Sequence, residues 1–246
     1  MARYILFNCI INFKDFLKME LITVSEITYL LNEDGKTASV SRCENNEIVE
    51  AVIAYSVRIG ENLYPVTGIN DYVFLYCKQI KSIKFPAGLE RIGHKAFCGC
   101  TALQTVHIPQ SVTNIGSGAF AGCSSVTTMV VAEENPVYDS RDNCNAVIET
   151  ASNTLVAGCK ETTILDDIVA IGDSAFEGIE LPFAELPSGL VSIGESAFDG
   201  ANLKSIALPD GLERIGYSAF SFCDLKSVVI PKTVSFIDGN IFPTPA

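Results

Sequence analysis

The feature that most constrains this chain is a motif of the form I-G-x-x-A-F that recurs at nearly constant spacing. Full copies begin at Ile92, Ile115, Ile171, Ile193 and Ile215, and weaker copies begin at Ile69 and Ile237. Neighbouring copies are 22 or 23 residues apart, except for one step of 56 residues between Ile115 and Ile171. A repeat of this length indicates an array of stacked structural units.

A second motif, L-x-x-I-x-I-P, precedes most copies and keeps the same period, as at residues 103–109 and 203–209. Its apolar residues alternate, so it predicts a strand with one buried and one exposed face, and the proline ends that strand. We expect the glycine of the first motif to relieve a tight bend. The A-F-x-x-C segment that follows should form about one helical turn that places Phe in the core.

A unit of 22–23 residues cannot bury its own apolar side chains, so the units must stack, with their strands forming a parallel sheet. The fold class predicted is mainly β with short helical turns, arranged as a solenoid. The repeat phenylalanines should then form a ladder inside it: Phe97, Phe120, Phe176, Phe198 and Phe220.

Residues 19–68 are predicted to be an amino-terminal β cap and residues 69–246 the solenoid. Residues 1–18 are either an extension of the domain or a wrongly extended start, with Met19 as the alternative.

The long step contains an insertion near residues 133–165, in which two short apolar runs surround a polar turn at 150–153. This pattern predicts a β-hairpin. If the hairpin closes about that turn, Cys144 and Cys159 lie opposite each other and could form a disulfide, with two free thiols as the alternative. The cysteines at 77, 100, 123 and 223 occupy a repeat position that also accepts Ile or Ala, which indicates buried, inert thiols.

The combined pattern L-x-x-I-x-I-P-x-x-V-x-x-I-G-x-x-A-F-x-x-C resembles the BspA-like branch of the leucine-rich repeats over residues 69–242. The inserted stretches 135–138 and 144–150 also resemble an element of that family. The resemblance implies a right-handed solenoid that is secreted or exposed on the cell surface, and a role in adhesion or protein binding. The apolar stretch 4–11 is a poor secretory signal and is too short to span a bilayer. The expectation of a secreted or surface location therefore rests on the resemblance alone.

The composition narrows the classes of partner. A hydrophobic fraction of 48% suits a folded core, and a net charge of −12 argues against nucleic acid and against an anionic membrane surface. We expect no membrane insertion. The oligomeric state is not determined by the sequence.

The strongest case for chemistry is made by His94 and His107, with Cys98 and Cys100 nearby, as either a catalytic pair or a zinc site. Both histidines occupy variable, outward positions of the repeat, and Cys100 is a core residue, so neither reading is favoured. The acidic stretch 139–143 is better read as a turn than as a calcium loop, because Arg141 lies among its acids. We therefore predict a protein that is not an enzyme and has no cofactor or metal.

The outward residues of the strands are the predicted binding face. They are Lys84, Thr105, His107, Thr128, Val130, Phe183, Glu185, Ser205, Ala207, Ser227 and Val229. Exposed Phe183, Val130 and Val229 would be the contact points of a protein partner. The alternative function is glycan binding by the Ser/Thr columns, and the alternative location of the site is the cap or the hairpin.

Overall fold

The structure is a computed structural model that describes residues 21–181 and 183–239, together with two short strands near the amino terminus. In the described residues the single helical element is the 3-10 helix Arg141–Asn143. The strands, in chain order, are β1 Ile5–Leu6, β2 Cys9–Ile10, β3 Leu21–Val24, β4 Ile27–Leu31, β5 Ala38–Cys43, β6 Glu50–Val52, β7 Ser56–Ile59, β8 Asn62–Ile69, β9 Ser82–Lys84, β10 Arg91–Ile92, β11 Thr105–Ile108, β12 Asn114–Ile115, β13 Thr128–Val131, β14 Tyr138–Asp139, β15 Ala146–Glu149, β16 Thr154–Gly158, β17 Ala170–Ile171, β18 Phe183–Ala184, β19 Ser192–Ile193, β20 Ser205–Ile206, β21 Arg214–Ile215 and β22 Phe236–Ile237.

A complete repeat contributes two short strands, and the repeats stack as a β-rich leucine-rich-repeat solenoid, as predicted. The L-x-x-I-x-I-P motif forms what we call the face strands (β9, β11, β13, β18 and β20). The residues that end in the Ile of I-G-x-x-A-F form a second set, the flank strands (β8, β10, β12, β17, β19, β21 and β22). The flank strands pair in parallel and in register, with Ile on Ile from coil to coil, and belong to two seven-stranded sheets. The sequence did not predict this second set as strands.

The face strands pair in parallel, but only in two-stranded pieces: β11 with β13, β18 with β20, and β9 with the cap strand β6. Residues 21–68 precede the array as antiparallel strands β3, β4 and β5, and β5 then pairs in parallel with β8. The predicted boundary at residue 68 falls inside β8. The predicted extension 1–18, apart from the antiparallel pair β1 and β2, and the chain beyond residue 239 lie outside the described residues.

The repeat phenylalanines stack face to face inside the solenoid, but in two ladders. Phe74, Phe97 and Phe120 form the first, with ring centroids 4.9 and 5.6 Å apart. Phe176, Phe198 and Phe220 form the second, with spacings of 5.3 and 5.6 Å. The hairpin separates the two ladders, because its Gly158 packs directly on the Phe176 ring. The contact is so close that a Cβ placed on Gly158 would lie 2.1 Å from that ring.

The glycine of I-G-x-x-A-F has a different role from the bend that we predicted. A Cβ on Gly93 would lie 2.6 Å from backbone atoms of Asn70 and Asp71 in the preceding coil, and Gly194 and Gly216 meet the same obstacle. These glycines are therefore required by close stacking of the coils. Positive φ instead falls on the fourth residue of the motif, such as Lys95 and Ser196, and on the second residue after Phe, such as Gly99.

These positive φ values also explain why the expected helical turn is replaced by a series of tight turns. A right-handed helix requires negative φ at every residue, and each coil breaks that requirement twice. The turns are closed by bonds such as the one from the Ala96 N–H to the Gly93 oxygen, 3.3 Å long.

The inserted hairpin is present as predicted, formed by β15 and β16, and it packs inside the stack. Val147 and Ala157 join the core of the first half of the solenoid, while Ala146, Ile148 and Leu155 join the core of the second half. Strand β16 then pairs in parallel with flank strand β17. On the turn side the coils remain continuous, since Gly122 N donates to the Glu177 oxygen at 2.6 Å. The hairpin is therefore a buried spacer on the strand side, exposed mainly at its turn.

Residues just before the hairpin satisfy the strand edges that it interrupts. The Tyr138 hydroxyl accepts a 3.0 Å bond from the Ile115 N–H, and the Ser140 hydroxyl accepts a 2.6 Å bond from the Val131 N–H. Asn135 donates to the carbonyls of Pro109 and Val112 at 2.9 Å. These polar side chains replace the backbone partners that another coil would have supplied.

Replacing Tyr138 with Phe is expected to lower the free energy of unfolding by about 2 kcal/mol, because the buried Ile115 N–H loses its acceptor. Urea denaturation of the variant and the parent protein measures the difference. Tyr55→Phe is the matched control, since Tyr55 is 77% exposed and should change stability little. Equal losses in the two variants would contradict the role assigned to the Tyr138 hydroxyl.

The two cysteines of the predicted disulfide are buried free thiols in the structure. A register shift between Val147 and Ile148 moves Asn145 opposite Cys159, and the Cys159 thiol lies 3.4 Å from the Asn145 oxygen. Cys144 packs in the core of the second half and Cys159 in that of the first. The sequence could not show this shift, and it is the physical reason why the two thiols do not meet.

Under non-reducing, denaturing conditions we expect an alkylating reagent to label Cys144 and Cys159 fully, and in native protein we expect little labelling of either, because both are buried. Mass spectrometry of the tryptic peptides measures the labelling. A Cys144–Cys159 peptide pair that appears only without reductant would overturn this expectation.

Candidate functional site

The outward residues of the face strands form two columns in the first half of the solenoid. On β11, Val106 and Ile108 are buried while His107 is exposed and Thr105 is half-buried. Thr105 pairs with Thr128 of β13, and His107 pairs with Val130. The period-two pattern therefore placed these four residues on one surface, as the sequence analysis expected.

The cap extends this surface by one strand that the sequence analysis did not assign to it. Strand β6 pairs in parallel with β9, which places Glu50 beside Ser82 and Val52 beside Lys84. The Lys84 ammonium lies 2.9 Å from the Glu50 carboxylate, and both side chains are well exposed. Such an exposed pair adds little to stability, but it places one positive and one negative charge side by side at this end of the surface. The alternation of residues 48–52 was the signal for it.

In the second half the columns continue, although the strands are shorter. Phe183 pairs with Ser205, and Glu185, Ala207, Ser227 and Val229 lie beyond the strand ends and are all exposed. The eleven predicted residues thus lie on the outward side of the coils, in three separate two-stranded pieces and one irregular coil. We call the outward residues of these segments and of β6 the strand face.

A cleft opens on the strand face at the point where the hairpin coil meets β18. It has a volume of about 320 Å³ and is lined by Thr162, Thr163, Ile164, Phe176, Leu181, Phe183, Ala184 and Glu185. The fully buried Phe176 lies beneath it, and Phe183 at its rim is 68% exposed. The cleft therefore combines an apolar floor with hydroxyl groups and one carboxylate.

The residues considered for catalysis or zinc binding do not form a common centre. His94 lies in a turn and makes an edge-to-face contact with Tyr72, with ring centroids 5.2 Å apart, whereas His107 lies on face strand β11. Burial raises the pKa of the Cys98 thiol, and it raises the pKa of Cys100 to about 12. Thiols in this state are poor nucleophiles and poor metal ligands. Over residues 21–181 and 183–239, no three His, Cys, Asp or Glu side chains converge as metal ligands would.

The acidic stretch 139–143 is organised by Arg141. One guanidinium nitrogen lies 2.9 Å from the Asp139 carboxylate, and another lies 3.1 Å from Asp167 and 2.7 Å from the Asn153 side-chain oxygen. This arrangement joins the hairpin turn to the next coil, as expected for a structural turn.

In the part of the chain that the structure describes, no helix has the length and apolarity to cross a membrane.

Comparison with known proteins gives a family and a fold. The family model described as "BspA type Leucine rich repeat region" matches residues 67–141 and 147–244, with six copies. A search of curated proteins found no match.

Among solved structures, a leucine-rich cell surface protein from Faecalibacterium prausnitzii is similar, with 20% identity, a TM-score of 0.50, and coverage of 91% of this chain and 86% of that one. The pneumococcal vaccine antigen PcpA follows with 19% identity, a TM-score of 0.49, and coverage of 89% and 77%. A leucine-rich repeat protein from Eubacterium ventriosum has 17% identity, a TM-score of 0.49, and coverage of 87% and 66%. With six repeat copies matched over most of its length, the chain belongs to the BspA-type leucine-rich repeat family.

Proposed function

We propose that this solenoid binds a protein partner through its strand face, and that the interaction serves adhesion to a host cell or to matrix protein. Proteins built from leucine-rich repeats act as interaction modules, and the regular coils provide an extended, rigid surface for that purpose. The proposal includes a location at the cell surface, the place named for the F. prausnitzii relative.

The observation that carries the proposal is the set of apolar side chains exposed on the strand face. Val130 is 40% exposed, Phe183 is 68% exposed and Val229 is 85% exposed. Val52 of the cap strand adds a fourth, at 49%. Exposed apolar side chains on a surface of hydroxyls and few charges are typical of contact points in protein interfaces, where aromatic residues often dominate the binding energy.

The test is binding of the purified chain to immobilised matrix proteins and to host cells, compared between the parent protein and a Phe183→Ser/Val229→Ser double variant. We expect the double variant to bind at least about tenfold more weakly, since burial of two apolar anchors is worth more than 1.4 kcal/mol. Both residues are exposed, so the thermal stability of the variant should stay close to that of the parent.

Phe222→Asn is the matched control, because Phe222 is 82% exposed but lies in a turn, outside the strand face. Its positive φ of 52° is one that Asn accepts. Equal loss of binding in the control and the double variant would contradict the strand face as the binding surface. Binding to a glycan array that is abolished by Phe183→Ala would favour a glycan ligand over a protein.

A further inference from the structure

The cleft beside Phe183 lies at a place where two neighbouring coils separate on one side only. On the flank side these coils are joined, since β17 pairs with β19 at Ile171 and Ile193. On the face side, β18 pairs with β20 and has no strand on its other edge. Between residues 162–164 and 183–185, the described residues form no backbone hydrogen bond. One edge of β18 is therefore open to the cleft.

The segment on the other wall of the cleft, residues 162–164, is anchored on the side away from β18. The Thr163 N–H is directed away from β18, donating to the Cys144 oxygen at 2.9 Å, and the Thr162 hydroxyl donates to the Asn145 oxygen at 2.6 Å. Both bonds hold residues 162–164 against the hairpin. Residues 162–164 are thus anchored to the hairpin on one side, and on the other side they form no backbone hydrogen bond with residues 183–185.

We propose that this cleft is a strand-addition site, which takes an extended segment of a protein partner and places a lysine or arginine side chain between Phe183 and Glu185. This inference rests on the proposed function and specifies its ligand. An unpaired strand edge in a cleft offers main-chain hydrogen bonds to an extended peptide, while nearby pockets select its side chains.

The chemistry of the cleft selects a cationic side chain with an apolar stem. The Phe183 ring is exposed and can take a cation on its face, and the Glu185 carboxylate on the same wall supplies the opposite charge. Ile164, which is partly exposed, provides an apolar surface for the stem. The net charge of −12 for the chain favours approach of a basic segment in general.

The test uses a displayed library of short linear peptides selected on the full chain. We expect the selected peptides to share one Lys or Arg position, and their affinity to fall about tenfold or more in Phe183→Ala and in Glu185→Lys. Selection on Glu185→Lys should replace the basic residue with Asp or Glu at the same position. Glu195→Lys, an exposed carboxylate on the flank side, is the matched control and should leave the affinity nearly unchanged.

N-methylation of alternate amides in a selected peptide distinguishes strand addition from side-chain docking alone. One of the two methylation patterns should lower the affinity about tenfold, because it removes the donors that face β18. Peptides without a shared basic position, or peptides that bind Glu185→Lys and both methylated forms equally, would overturn the inference. If that occurs while Phe183→Ser/Val229→Ser still weakens binding to matrix protein or cells, the proposed function stands and only the strand-addition site fails.

Discussion

Replacing Phe198 with Ala is expected to lower the free energy of unfolding by about 3–5 kcal/mol, the largest single effect that we predict. Phe198 is fully buried and stacks between Phe176 and Phe220, at 5.3 and 5.6 Å, so its removal leaves a cavity that two rigid neighbouring coils cannot fill. In a stacked array each repeat is stabilised mainly by its neighbours, so the loss also weakens the coupling between coils on either side.

Guanidinium denaturation followed by circular dichroism measures the Phe198→Ala effect. Phe183→Ala removes the same side chain from a site that is 68% exposed, and it should cost less than about 1 kcal/mol. A loss for Phe198→Ala no larger than that of this control would contradict the ladder as a source of stability.

Replacing Gly116 with Ala is expected to lower the free energy of unfolding by about 3 kcal/mol. The added Cβ would lie 2.4 Å from the His94 nitrogen and 2.7 Å from the Gly93 carbonyl carbon, and both are backbone atoms that a side-chain rotation cannot move. The coils would have to separate at this point, which strains the flank pairing of β10 with β12.

Gly88→Ala is the control for this prediction, because no atom lies within 4 Å of a Cβ at Gly88 and its backbone is compatible with Ala. It should leave stability unchanged or raise it slightly. A thermal denaturation series that compares both variants with the parent protein separates the two cases. Equal stability of Gly116→Ala and Gly88→Ala would show that the coils adjust to the extra methyl group at no cost.

Periodicity within a coil identified which residues face inward. The period-two alternation of the L-x-x-I-x-I-P motif identified Val106 and Ile108 as buried and His107 as outward, and the recurrence of Phe identified the core residues of every regular coil. The hairpin was also located correctly, because two apolar runs around a polar turn have few other ways to fold. These patterns are local, and each is repeated several times in the chain.

Predictions that depend on contacts between coils were incomplete. The motif glycine was predicted to relieve a bend, whereas the backbone of the preceding coil is what excludes a side chain there. Tyr138 was predicted only to belong to an inserted element, whereas its hydroxyl accepts a bond from the Ile115 N–H, more than twenty positions away. Cys144 and Cys159 were predicted to lie opposite each other, but a one-residue register shift separates them. None of these relations is visible in a local pattern.

The candidate site likewise has features that the sequence predicted and features that only the structure revealed. Periodicity was sufficient to name the outward residues of the strand face, including Phe183 and Val229. The tertiary structure alone decided that Glu50 and Val52 of the cap join that face, and that a cleft opens beside β18. Side-chain direction along a strand follows from backbone geometry that each residue carries with it. A cleft depends instead on the distance between residues 162–164 and β18, which lie in different coils, and that distance is set only when the whole stack forms.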